Sequence, residues 1–320
     1  MNPEPAASGP MTWPAIVAHA DWGTDRRKRQ VAVARRLGAG PEYRVTSLGP
    51  APDAGLFLAL RDLAAPGQAL AGFDFPIGLP RRYAEVAGIN SFTGFLDRIG
   101  SPPWHEFDVV ARQANEITLR RPFYPAVPGG TRREHQYLAL GLTAGDLRRR
   151  CEGTDAETLF WTLGSKQAGK GALAGWRLII AARDKVPGLA LWPFDGTLPE
   201  LLDGSSRVVV AETYPREYYR YLRPAHASAA RWSKRRQADR LTWIPGMLRW
   251  AESLGVGWEA RIAGRVRQGF SAGANGEDEF DAVTGLLGMI GVLSGTIPAG
   301  EPGDDPCVAT TEGWILGRRP

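Results

Sequence analysis

Cysteine, histidine and lysine are scarce in this chain, and each shortage removes a class of explanation. Two cysteines among 320 residues, Cys151 and Cys307, cannot build a disulfide framework or a cysteine-based zinc cluster. The four histidines, His19, His105, His135 and His226, show no metal-ligand spacing. Of the 39 basic residues only Lys28, Lys166, Lys170, Lys185 and Lys234 are lysines, and the other 34 are arginines. Arginine is the better bidentate phosphate ligand, but a GC-rich genome produces the same bias without functional meaning. Long apolar runs are missing too. The longest weakly polar stretch, 282–300, is interrupted by Thr, Ser and five glycines, which suits a buried helix and not a membrane span. Residues 1–14 are rich in Pro and Ala and lack an apolar run, so they are expected to be a disordered tail and not a secretory leader. The expected location is therefore cytoplasmic.

What is present is the composition of an ordinary folded protein, 43% apolar with a net charge of +5. The length suffices for one large domain or two small ones. Residues 15–20, 31–34 and 43–48 read as three strands of a meander. Residues 55–64 have helical spacing, with Leu56, Leu60 and Leu63 on one side. Residues 69–75 are a fourth strand, which Pro76 and Pro80 end, and the helix before it allows parallel pairing with the first. Residues 81–200 are helical and broken by Gly and Pro, with helices expected at 81–87, at 91–99 under a Ser91 cap, at 155–163 and at 172–185. This segment reads as an insertion. Residues 207–211 form a continuous apolar strand of the kind buried on both faces. A helical segment interrupted at Pro245 spans 233–254, another helix spans 276–293, and 312–316 is expected to be a last edge strand. The expected fold is α/β: a mixed five-stranded sheet with helices on both faces, one domain over 15–320, and a helical insertion at about 81–200.

Three of these strands end in an acid, Asp21, Asp74 and Glu212. In a mostly parallel sheet the carboxyl ends of neighbouring strands form the edge that carries sites. Asp278 and Asp281 stand three apart at the front of the late helix and so share one face. Capping and dipole compensation account for acids in a first turn equally well. Convergence of all five would place repelling carboxylates together, which raises their pKa values unless cations are present. The cation suited to hard oxygen ligands is Mg²⁺ or Mn²⁺. Two such ions about 3.5–4 Å apart activate water and stabilise the leaving oxygen in phosphodiester cleavage.

The β-β-β-α-β opening, with acids on its first and fourth strands and Asp278-Glu-Phe-Asp281-Ala282 on a late helix, resembles the RNase H-like superfamily. That helix is similar to the last helix of RuvC-type Holliday-junction resolvases. More closely, the chain resembles the uncharacterised bacterial and archaeal family of predicted nucleases with an RNase H-like fold. The matching segments are Asp74-Phe-Pro-Ile-Gly78-Leu-Pro80, Glu212-Thr-Tyr214-Pro215, Ser233-Lys-Arg-Arg-Gln-Ala-Asp-Arg240, Asp281-Ala282 and Glu312-Gly-Trp-Ile315. The likeness covers most of 15–320 and is weakest over 81–200. Phe75 departs from it, standing where Ala is usual. The resemblance implies a metal-dependent nuclease with Asp21, Asp74, Glu212 and Asp281 as ligands of Mg²⁺ or Mn²⁺ and Asp278 as a further ligand or base. His19, two before Asp21, reads as a core histidine.

Other readings stay open. Asp21-Trp-Gly-Thr24 resembles the phosphate hairpin of the actin and sugar-kinase ATPases, but that group needs two copies of the fold and no second hairpin stands between clear strands. Residues 164–171 imitate a P-loop but carry Gly171 where Ser or Thr must bind Mg²⁺. Lys166 and Lys170 there, with Lys234, Arg235 and Arg236, are candidate contacts to a nucleic-acid backbone. So are the basic stretches 26–29 and 148–150. Trp232, Trp243 and Trp250 are spaced as a buried helical stripe. A non-catalytic binding or scaffold protein on the same fold is the remaining alternative.

Overall fold

The computed structural model describes residues 12–23, 25–52, 55–164, 168–205, 207–223, 232–273 and 275–320. Its centre is a seven-stranded mixed sheet made of β1 (Ile16–Asp21), β2 (Gln30–Arg36), β3 (Tyr43–Pro50), β4 (Ala69–Phe73), β5 (Leu189–Leu191), β6 (Val208–Glu212) and β7 (Val256–Trp258). The spatial order is β5-β6-β4-β1-β2-β3-β7. β2 runs antiparallel to both β1 and β3, while β1, β4, β6 and β5 run parallel to one another, as do β3 and β7. The five expected strands form the middle of this sheet. The expected count of five is too low, because β5 and β7 extend it by three residues each at the two edges. The expected last strand at 312–316 is instead a short π-helical turn over Val308–Glu312 followed by a single bridge from Ile315 to Glu212.

The helices are α1 (Leu56–Ala64), α2 (Arg81–Ala87), α3 (Phe92–Leu96), α4 (Arg133–Leu140), α5 (Ala168–Arg183), α6 (Leu198–Asp203), α7 (Pro215–Leu222), α8 (Gln237–Ser253), α9 (Ala260–Arg267) and α10 (Asn275–Leu293). Ser91 caps α3 as expected, accepting from the Gly94 amide at 3.2 Å. No helix forms over 155–163, where the chain makes turns and Trp161 bridges to Tyr124. Among the described residues no helix is long and apolar enough to cross a membrane. The tail expected over 1–14 does not hold at its end: 1–11 lie outside the described residues, but the Trp13 and Tyr43 rings meet in a tilted pair, 6.2 Å between centroids, and the Tyr43 hydroxyl donates to Pro14 O at 2.7 Å.

Strand alternation divides the core into two layers. Ile16, Ala18, Ala20, Val208 and Val210 point to one face, where α1 and the segment from α2 to α5 pack. An aromatic nest of Phe95, Trp104, Phe107, Phe123 and Trp176 fills that layer, with ring centroids 4.6–6.1 Å apart. Phe75 belongs to it: a Cβ added at Gly175 of α5 would lie 2.2 Å from its ring. Val17, Val209 and Ala211 point to the other face, under α7 to α10. The insertion ends before β5, because β5 pairs in parallel with β6 and so belongs to the central sheet.

Helix α10 lies across β1 and β2 and is almost wholly buried. Its small residues permit that close approach. A Cβ at Gly285 would come within 2.3 Å of the His19 ring, and a Cβ at Gly72 of β4 within 2.4 Å of Met289 Sδ.

Candidate functional site

The parallel strands set which acids meet. In register, His19 of β1 pairs with Gly72 of β4, and Gly72 pairs with Ala211 of β6. Two residues further on, the same face carries Asp21, Asp74 and Thr213. This is the face covered by α10, so Asp21 and Asp74 point toward the helix that brings Asp278 and Asp281. His19 is the core histidine expected: it is fully buried, hydrogen-bonded to Thr213 Oγ1 at 2.7 Å, and burial lowers its pKa to about 3.

Four of the five candidate acids therefore converge. The Trp22 amide donates to Asp74 Oδ1 at 2.6 Å. Asp281 has both oxygens engaged, Oδ1 by the Tyr219 hydroxyl and Oδ2 by the Lys234 ammonium. Asp278 is 8% exposed and its Oδ2 has no hydrogen-bond partner. Burial first, then the charges of Asp74, Asp281 and Asp278, push the Asp21 carboxyl well above the usual range. Burial also raises Asp74, although the Trp22 amide opposes it, and it raises Asp281 against the pull of Lys234. Burial and the neighbouring Glu277 push Asp278 up to about 7. Burial works against the Lys234 ammonium, but Asp281, Asp21 and Glu277 more than offset that and raise its pKa.

Glu212 is not brought to this cluster. It lies one residue out of phase, following Val208 and Val210 to the insertion side of the sheet. Its carboxylate takes two bonds from Arg149, both at 2.6 Å, and one from the Ile77 amide at 2.6 Å. Arg149 is itself buried and also binds Glu152 at 3.0 Å. An acid with its oxygens so occupied is a structural partner and not an open ligand. The loop between Asp74 and α2 is tied into the same region. Gly78 has φ +138°, and a Cβ there would meet Glu312 O at 2.0 Å, so the position requires glycine.

The expected basic track is split between buried groups and exposed ones, several of them in surface ion pairs, and Arg26, Arg27 and Lys28 are exposed. Arg149 and Arg240 are buried, Arg150 pairs with Asp305 at 2.7 Å, Arg236 with Asp239 at 2.6 Å, and Arg235 approaches Glu277 at 3.5 Å. Arg29 is buried over Trp22, 4.0 Å from its ring. Lys234 faces Asp281. Lys170 lies half-buried in α5, and Lys166 and Thr24 fall outside the described residues. Trp250 is buried as expected, while Trp232 and Trp243 pack at 4.5 Å beside Tyr219 and Phe280.

A cleft of about 810 Å³ opens along the carboxyl ends of β4 and β6. Trp22 and Asp74 line it on one side with Glu212 and Thr213, the 152–157 turn on another, and Arg216 and Arg220 of α7 on a third; of the four converging aspartates Asp74 alone lines it. Arg216 and Arg220 are four apart on one helical face, exposed, and suited to phosphate or carboxylate. Tyr214, 41% exposed, stands at the start of α7. Neither this wall nor Tyr219 was expected from sequence, since each reaches the acids only through the fold.

Among the described residues no group of three or more His, Cys, Asp or Glu side chains is placed so that it could hold a metal ion. The donor chemistry nevertheless fits a hard divalent ion, with four buried or half-buried carboxylates and one unpartnered buried oxygen on Asp278. No family model, no curated protein and no solved structure matches the chain.

Proposed function

We propose that this chain is a metal-dependent nuclease, hydrolysing phosphodiester bonds on an RNase H-like core. The observation that supports the reading is the convergence of Asp21, Asp74, Asp278 and Asp281 from the ends of β1 and β4 and from α10, with Asp74 also lining a cleft. The β-β-β-α-β opening, with one more parallel strand beside β4, supports the choice of core.

Asp21, Asp74 and Asp281 would hold Mg²⁺ or Mn²⁺, with Asp278 beside them. The metal supplies an activated water and charge stabilisation at the leaving oxygen. The chain's own groups prepare that site. The Trp22 amide and Tyr219 hydroxyl orient Asp74 and Asp281. Asp278 Oδ2, raised to about 7, is poised to accept a proton near neutral pH. Arg216 and Arg220 present guanidinium forks to substrate phosphates.

The cleft volume favours one refinement. About 810 Å³ lies within the range of small-ligand pockets, roughly 300–1,000 Å³, so a nucleotide or a single-strand end fits better than a duplex body. The ATPase reading would need a second sheet of this kind, and the described residues form one.

The test is cleavage of labelled DNA, RNA, hybrid, junction and dinucleotide substrates in Mg²⁺, Mn²⁺ or EDTA, with Asp21→Asn in parallel. Metal-dependent cutting that the variant lacks is the expected result. No cutting above the variant, with Mg²⁺–ATP binding, would favour the ATPase reading. Neither cutting nor ATP binding would leave a binding or scaffold protein.

A further inference from the structure

The carboxylate cluster carries a cation of its own. Lys234 donates to Asp281 Oδ2, and its charge also acts on Asp21, Asp74 and Asp278. Its position is built rather than incidental. Ahead of α8 the chain makes a turn in which the Ser233 amide donates to Asp239 Oδ2 at 2.8 Å and the Arg236 amide to Ser233 O at 3.0 Å. Arg240, fully buried, gives Nη1 to Lys234 O at 2.5 Å, Nη2 to Ser271 O at 2.6 Å and Nε to Gly269 O at 2.9 Å. Burying a guanidinium is costly unless its N–H groups find acceptors. Here the acceptors are the carbonyl of Lys234 and the turn that leads into α10. One buried side chain thus ties the backbone of Lys234 to that of Gly269 and Ser271, ahead of the helix that carries Asp281.

That arrangement is one reason why no group of side chains among the described residues, as placed, could hold a metal ion. With Tyr219 on one oxygen and Lys234 on the other, Asp281 offers no free carboxylate oxygen. Meanwhile Asp278 keeps Oδ2 unpartnered in the same cluster.

We propose that Lys234 is the resident counter-cation of the carboxylate cluster, and that a divalent metal ion must displace its ammonium from Asp281 to be held there. The displacement step rests on the reading of the cluster as a metal site, whereas the counter-cation role does not. Ammonium and metal compete because both satisfy the same repelling carboxylates, and a contact between unit charges is strong where water is partly excluded.

The test uses Lys234→Met, which keeps an apolar stem without charge, and Lys234→Arg, which keeps the charge. Melting is followed in EDTA, and Mn²⁺ binding is followed by calorimetry. In EDTA Lys234→Met is expected to melt below the wild type, Lys234→Arg close to it, and the double variant Lys234→Met/Asp281→Asn to regain the loss. Mn²⁺ is expected to bind Lys234→Met about tenfold or more tighter than the wild type and to close the melting gap. Equal melting of Lys234→Met and wild type, or no recovery in the double variant, overturns the counter-cation role. Equal Mn²⁺ affinities overturn the displacement. Absence of Mn²⁺ binding in both proteins, with the melting pattern intact, overturns the metal reading and the displacement with it, and the counter-cation role stands on the melting data.

Discussion

Two charged clusters stand on opposite faces of the same sheet edge, and they are built on opposite terms. On the insertion side, Arg149 donates two bonds of 2.6 Å to Glu212, and the network runs on through Glu152, Glu312, Arg81 and Asp305. Acids and guanidinium groups alternate there, and they tie the insertion to the C-terminal segment. On the α10 side, Asp21, Asp74, Asp278 and Asp281 share Lys234, and one carboxylate oxygen is left unpartnered. Burial alone does not separate the two, since Glu212 and Asp281 are 5% exposed each. Compensation does. A cluster that its own protein balances is a brace, whereas one left short of positive charge is prepared to receive it from elsewhere.

Breaking the brace has the largest expected effect. Glu212→Gln leaves Arg149 buried with its main partner uncharged and should cost about 3–5 kcal/mol in a urea melt. A loss well below 1 kcal/mol would erase the distinction between the clusters. Next comes the spacing of α10 against β1. Gly285→Ala drives a methyl group to within 2.3 Å of the His19 ring, and overpacking of this kind costs about 1–3 kcal/mol. It should also lower metal-dependent cleavage, because the helix carrying Asp281 is pushed from the strand carrying Asp21.

The pH dependence sharpens the contrast. Asp278, raised to about 7, binds its proton more readily in the folded than in the unfolded chain. Its contribution is therefore full below the unfolded value of about 3.9 and is lost as pH rises through about 7. Melting of the metal-free protein should weaken across that window, with a slope of up to about 1.4 kcal/mol per pH unit for one group. Asp278→Asn should flatten the slope, and an unchanged profile would remove Asp278 from the strained set. The smallest effect is expected from Tyr219→Phe, which deletes one hydrogen bond to Asp281 and should change stability by about 1 kcal/mol or less. A larger loss would show that Tyr219, and not Lys234, is the main support of that carboxylate.

Much of the framework is legible in the sequence, because the five central strands are apolar runs closed by acids or turn residues. β5 and β7 are not, since Leu189-Ala-Leu191 and Val256-Gly-Trp258 are too short to show a period of two. Residues 155–163 carry apolar spacing that a helix and a packed series of turns share. The misplacement of Glu212 had a readable signal. In Val208-Val-Val-Ala-Glu212, the glutamate shares a side with Val208 and Val210, and only the register with β4 shows that Asp21 and Asp74 lie on the other. Lys234 offered none, because a basic stretch suggests contact with phosphates until the fold brings it to Asp281, 47 positions away in the sequence.

The most direct test of the central claim is the melting temperature of the wild type and of Asp74→Asn, each with Mn²⁺ and with EDTA. The account predicts that Mn²⁺ raises the wild-type value through binding to the folded state. It predicts that Asp74→Asn melts at or above the wild type in EDTA and gains nothing from Mn²⁺. An equal rise in both proteins, or no rise in the wild type, would contradict the assignment of the four aspartates to a metal site.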